Sequence, residues 1–306
     1  MSDLHSKARW SHRSQFTYHS SLIIPNTMSG IRECKDNLLI KAKARPEGYS
    51  EVVGRGEMGL RHLEFGLLRL ISGEWSGKTG KCEQALDIYS GAISLETSRE
   101  SFPRLGDRDT PFAGSPTVVY LPPKTQYTVK VLEGPVEIGV FSATAPKFEG
   151  DVKVVGPDDA VTMTVGRDNW RRESHTALGT NADVAKLILA EVMVPPGNWA
   201  SAPVHKHDAF NPPAEVPLEE ICYFHVDPRQ GFGVMRIYTG PNDPGPMDEI
   251  YVVENGDTVV VPRGYHLIGA APGYAISYTS VLAGDVRIPG AFSFEPRHAW
   301  IAEGNG

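Results

Sequence analysis

Pro195-Pro196-Gly197-Asn198-Trp199, then His205-Lys206-His207, then Leu218-Glu219-Glu220-Ile221, and finally Gly256-Asp257-Thr258-Val259-Val260-Val261-Pro262-Arg263-Gly264-Tyr265-His266 form the stretch that decides the fold of this 306-residue chain. Side chains alternate across a strand, so His205 and His207 point to one side and can grip one ion. A carboxylate and a third imidazole would complete the shell. Residues 258–261 read as a strand, the Pro-x-Gly that follows as a turn, and His266 as the start of the next strand, so the turn sets where that imidazole is aimed. Three nitrogen ligands and one oxygen suit a single divalent metal ion, Zn, Mn, Fe or Ni alike, with open positions for water or substrate.

The pairing of HxH-then-Glu with Gly-x5-Pro-x-Gly-x-His resembles the two motifs of the cupin superfamily, small antiparallel β-barrels that hold a metal with three histidines and one glutamate. The resemblance implies His205, His207, Glu220 and His266 as the metal ligands. In cupins the glutamate directly precedes an apolar, aromatic-rich strand, as Glu220 precedes Ile221-Cys222-Tyr223-Phe224, which puts Glu219 on the opposite face. Between His207 and Glu220 lie about a dozen residues where most cupins have three or four. A Pro-rich loop, Asn211-Pro212-Pro213-Ala214-Glu215-Val216-Pro217, accounts for the excess, because prolines cannot donate to a sheet ladder and mark a loop at a barrel mouth.

The rest of the chain has ordinary globular composition, 41% hydrophobic and 22% charged, and length for two domains with real cores. Its formal net charge of −7 argues against nucleic-acid binding and against an anionic membrane surface, both of which need clustered positive charge. Three scattered cysteines, Cys34, Cys82 and Cys222, make no disulfide framework and favour a reducing, cytoplasmic setting. No apolar run reaches the length of a membrane span, and the N-terminus lacks the apolar core of a signal peptide.

Residues 1–36, with His5, His12 and His19 in no sustained period, read as a flexible leader. Short β-rich runs at 65–70, 85–90, 92–96, 117–121, 127–131 and 136–141, punctuated by Gly and Pro, predict an all-β unit over 37–150. It reads as a second cupin-like barrel without a metal, because Gln126 and Tyr127 stand where an imidazole is needed and no HxH precedes them. A supporting role in a homo-oligomer is expected for it. The second barrel spans 151–306, with strands at 184–194, 231–239, 249–253, 258–261 and 274–282. The predicted fold is therefore all-β, two cupin-type jelly-roll barrels in tandem, with the metal site in the C-terminal one.

Beyond the two cupin motifs, Pro196-Gly197-Asn198-Trp199, Pro203-Val204-His205-Lys206-His207-Asp208, Gly231-Phe232, Arg236-Ile237-Tyr238-Thr239, Val261-Pro262-Arg263-Gly264-Tyr265-His266 and Pro296-Arg297-His298-Ala299-Trp300 resemble the 5-deoxy-glucuronate isomerase family of myo-inositol catabolism. The resemblance is dense from about residue 166 to 300 and collinear from about residue 38. It implies an aldose-to-ketose isomerisation of a sugar acid, 5-deoxy-D-glucuronate to 2-deoxy-5-keto-D-gluconate. A metal would act as Lewis acid, and a base must move a proton between adjacent carbons. A metal-bound hydroxide, Glu219, Lys206, Tyr265 and His175 are the candidates for that base. Local cations must hold the uronate carboxylate in an acidic protein, and Arg236 and Arg172 are the candidates, with Asn198 and Trp199 lining the mouth. The competing readings are a metal-cupin dioxygenase and a non-catalytic sugar-binding or storage-type bicupin. His225 and His298 are expected in hydrogen-bonded structural roles.

Overall fold

The computed structural model describes residues 37–241 and 243–303. The expected leader and its three histidines lie outside those residues. Three antiparallel sheets carry nearly all of the described chain. The first has eight strands and runs Gly48–Val53, Leu63–Leu70, Gln126–Thr144, Cys82–Thr97, Thr117–Leu121 and Lys153–Val155, with Glu74–Lys78 and Ser101–Leu105 added on the two longest strands.

Those two strands each turn a corner. The predicted pieces 85–90 and 92–96 are one strand, because the ladder to Gln126–Thr144 slips register at Ser90, Ala92 and Ile93 without breaking. Gly91 sits at the corner with φ +80, and a Cβ there would lie 2.5 Å from the Glu133 carbonyl oxygen, so only glycine fits. The bend lets the sheet fold over Leu86, Ile88, Ile93, Leu95, Val119, Val129 and Ile138. The interior is apolar where the other half has a histidine cluster. Gln84, which pairs with Leu121 as Glu220 pairs with Val261, accepts a 3.0 Å bond from the Tyr127 hydroxyl.

The other two sheets face each other. One orders Leu39–Ile40, Thr258–Val261, Glu219–Asp227, Ala275–Ala283, Ile188–Val194, Arg172–Leu178 and Val161–Val165; the second orders Asp248–Glu254, Phe232–Tyr238, Tyr265–Ala270, Trp199–Lys206 and Ser293–Phe294. Between them lie Cys222, Phe224, Met235, Ile237, Val253, Ile268 and Tyr278. The opposite face of the seven-stranded sheet packs Ile221, Tyr223, Val260 and Val281 on Leu63, Phe65, Tyr89 and Phe141 of the first sheet. Glu219–Asp227 is thus covered on both faces, which explains why every residue from Glu219 to Val226 is buried.

The boundary expected at 150 needs two corrections. Leu39–Ile40 pairs with Thr258–Val261 and so completes the C-terminal sheet, while Lys153–Val155 pairs with Thr117–Leu121 in the N-terminal one. Both are short edge strands whose partners are set by tertiary packing, and their own residues carry no such signal.

Candidate metal centre

His205 lies at the end of the Trp199–Lys206 strand and His207 just beyond it, and His266 lies directly across the ladder from His205. One ligand atom from each of His205, His207 and His266 lies within 4.8 Å of the others. Glu220 enters from the facing sheet: its Oε2 is 3.2 Å from His207 Nε2 and 3.3 Å from His266 Nε2. All but His205 are buried.

The hydrogen bonds around the cluster specify its chemistry. His207 Nδ1 donates to the Leu218 carbonyl at 2.6 Å and His266 Nδ1 to the Gly264 carbonyl at 3.2 Å. A carbonyl only accepts, so each Nδ1 carries its proton outward and each Nε2 is left facing the Glu220 carboxylate oxygen. At that distance a proton or a cation must lie between each Nε2 and the carboxylate oxygen. The donor set, imidazole nitrogens plus one carboxylate, fits a borderline divalent metal. Glu220 Oε1 is held by Ser280 Oγ at 2.5 Å and Cys222 Sγ at 3.3 Å, which leaves Oε2 free to face the histidines. Burial alone would raise the pKa of Glu220, but bonding to His207 and His266 outweighs it and holds the carboxyl well below its usual range. Burial, then the neighbouring His266 and His207, hold His205 well below the ordinary imidazole value.

The substrate-side candidates separate by strand parity. Arg172 begins a strand of the seven-stranded sheet, its Nη1 donating to the Ala202 carbonyl at 3.1 Å. It lies close enough to His205 and Tyr278 to perturb both, and it pairs with no carboxylate among the described residues. Arg236 is the reverse case and corrects the expectation. Met235 and Ile237 face the core, so Arg236 faces outward, where its Nε and Nη2 take both Asp248 oxygens at 2.7 and 2.9 Å and its guanidinium covers the Tyr238 ring at 4.2 Å.

Four more expectations change. Lys206 and Tyr265, each beside an inward histidine, share the outer face: Lys206 Nζ bonds Asp208 at 2.8 Å and lies 5.4 Å from the Tyr265 ring centre. Glu219 points away from Glu220 and accepts three backbone N–H bonds from Arg61, His62 and Leu63. His175 faces the N-terminal half, its ring nitrogens shared by Thr162 Oγ1 at 2.9 Å and Glu173 Oε1 at 2.9 Å. None of these four faces the cluster, because a one-residue step along a strand reverses the face. Trp199 lies over Gly269, where a Cβ would meet its ring at 2.8 Å, and Asn198 Nδ2 ties the Arg171 carbonyl at 2.8 Å beside Arg172.

Tyr278 was not anticipated. It shares the interior with Cys222 on the neighbouring strand and is two residues from Ser280, which bonds Glu220; the alternation of 276, 278 and 280 was the available signal. Burial, and then the nearby Cys222, keep its phenol protonated far above the usual range, with Arg172 opposing.

Comparison with known proteins places this arrangement. The model of the KduI/IolB family matches residues 38–301. The 5-deoxy-glucuronate isomerase of Geobacillus kaustophilus is 35% identical over 259 residues, 84% of this chain and 92% of that one. An IolB-like protein from Salmonella typhimurium LT2 has the same fold at TM-score 0.81 and 30% identity, over 87% of this chain and 99% of that one. The oxalate decarboxylase of Lactobacillus farciminis, in its formate complex, gives TM-score 0.58 at 12% identity over 86% and 88% of the two chains, a likeness of fold alone. With a family model spanning nearly every described residue and relatives matched almost end to end, the chain belongs to the KduI/IolB family.

Proposed function

We propose that this chain is a metal-dependent isomerase that converts 5-deoxy-D-glucuronate to 2-deoxy-5-keto-D-gluconate. The observation that carries the reading is the convergence of three imidazoles and Glu220 beside a guanidinium without a carboxylate partner, in a chain whose relatives bear that activity. When bound, the divalent ion supplies Lewis-acid polarisation of the sugar's carbonyl. His205, His207, His266 and Glu220 would hold it, with Leu218 and Gly264 orienting two rings and Ser280 and Cys222 orienting the carboxylate.

Arg172 binds the uronate carboxylate. Its guanidinium is largely withdrawn from water, so a charge-assisted bond there contributes about 1.5 to 3 kcal/mol. Tyr278, which keeps its proton, donates to a sugar oxygen within reach of both Arg172 and the ligands. The four side chains first considered as base face elsewhere and take no part in the proton transfer. The protein is read as acting on this small sugar acid in the cytoplasm, as a homo-oligomer. No described helix is long and apolar enough to cross a membrane.

The test is turnover of 5-deoxy-D-glucuronate in deuterated water followed by proton NMR. The expected result is loss of the aldehyde signal and growth of the ketose, with deuterium at the former aldehyde carbon and no oxygen uptake. Oxygen consumption would instead identify a dioxygenase. Ligand-induced stabilisation without turnover would identify a binding protein.

A further inference from the structure

We propose that Glu219 is a positioning residue through which the N-terminal half sets the geometry of the metal centre. This rests on the metal-centre reading above and adds a second component to it. The Glu219 carboxylate is buried and accepts backbone N–H bonds from three consecutive residues of the N-terminal half, Arg61 at 2.7 Å, His62 at 2.7 Å and Leu63 at 2.6 Å. Three amide donors on one carboxylate form a stiff cradle with little freedom to rotate.

What the cradle grips matters more than its strength. Leu218, Glu219 and Glu220 are consecutive where the chain leaves the Pro-rich loop and enters the strand. The Leu218 carbonyl orients His207 through Nδ1, and Glu220 faces His207 and His266. Glu219 lies between these two contacts, its side chain on the opposite face. Anchoring it therefore places Glu220 directly, His207 through the Leu218 carbonyl, and His266 through Glu220. The loop's own ties stay within the C-terminal half, Glu215 accepting from the amides of Asp208 and Ala209 and from the Ser293 hydroxyl, and Asp208 from the Gly264 amide, whereas Glu219 reaches the N-terminal half.

The molecule contains its own control. Glu83 of the N-terminal half accepts backbone N–H bonds from Ala185 at 2.9 Å, Lys186 at 2.7 Å and Leu187 at 2.9 Å of the C-terminal half, and one from Tyr120 Oη at 2.7 Å. The clasp is reciprocal. Glu83 precedes Gln84, which bonds Tyr127 among apolar side chains, just as Glu219 precedes Glu220 at the ligand cluster. Breaking either clasp loosens the halves, but only the Glu219 clasp adjoins metal ligands.

The experiment titrates Zn²⁺ into metal-stripped wild type, Glu219→Gln and Glu83→Gln against a chromophoric chelator, alongside thermal unfolding of each. Both variants should unfold at lower temperature. Glu219→Gln should raise the Zn²⁺ dissociation constant about tenfold or more, the range typical of groups that orient metal ligands, while Glu83→Gln stays within about threefold of wild type. If Glu219→Gln does not fold, Glu219→Asp, which keeps the charge but shortens the reach, carries the same comparison. Equal affinity losses in the two variants, or no loss in either, overturn the positioning role and leave the metal centre standing. A wild type that binds no Zn²⁺ overturns both.

Discussion

Arg172 and Arg236 carry the same charge in the same half of the molecule, yet only one is available to a ligand. Arg236→Met removes a bidentate surface pair with Asp248, and such pairs contribute roughly 0 to 1 kcal/mol, so kcat/KM should stay within about twofold of wild type. Arg172→Met removes the interior guanidinium and should lower kcat/KM by about ten- to a hundredfold with metal content unchanged. Steady-state kinetics with elemental analysis check both. His207→Ala should lose most of its metal, because its ring is one of the donors and Glu220 would be left facing a gap; equal metal in mutant and wild type refutes the ligand assignment. The spacing of His205, His207, Glu220 and His266 was legible because it follows from strand parity and one Pro-x-Gly turn. Parity also groups Val234, Arg236 and Tyr238 correctly, but it does not say which face is inside. The exposed Phe232 and the core-facing Met235 are both apolar, so hydropathy along that strand does not decide it.

Strands that bend are harder to read than strands that end. Gln126–Thr144 runs through a corner that looks like a terminus in sequence, because Gly134 and Pro135 are turn residues, and its far side delivers Glu137 to the other half. Glu137 meets Arg69 Nε of its own sheet at 2.7 Å and, in the other half, the Tyr223 hydroxyl at 3.0 Å and His225 Nε2 at 3.3 Å. Burial pushes its pKa up, but the bonds and charges of His225 and Arg69 outweigh burial and bring it from 4.5 to about 2. The carboxylate is favoured in the folded state, so its stabilisation is fully present above 4.5 and is lost as pH falls through about 2. At about 1.4 kcal/mol per unit this amounts to at most about 3.5 kcal/mol. Glu137→Gln should therefore be less stable than wild type at neutral pH and lose less further stability across that acid window. Urea unfolding at stepped pH measures it, and parallel curves for the two proteins would discount the link.

At the scale of the whole molecule, the half without ligands covers an apolar face of the half that has them. A fragment of residues 145–306 would leave Ile221, Tyr223, Val260 and Val281 without Leu63, Phe65, Tyr89 and Phe141. It should be insoluble or inactive, since an exposed face of that kind drives aggregation. Soluble, fully active fragment would refute the dependence. The all-β class was legible from turn spacing, whereas the strand Leu39–Ile40 was not, because two residues carry no period. That short strand ties the order of synthesis to the order of folding. Every strand of the eight-stranded sheet has left the ribosome by Val155, but Leu39 and Ile40 must wait for Val259 and Thr258, and His205 for Phe294. The cluster of His205, His207, Glu220 and His266 is therefore complete only once His266 has been made, and the sheet that carries Glu220 is complete only when the chain's own beginning, Leu39–Ile40, is taken back beside Thr258–Val261.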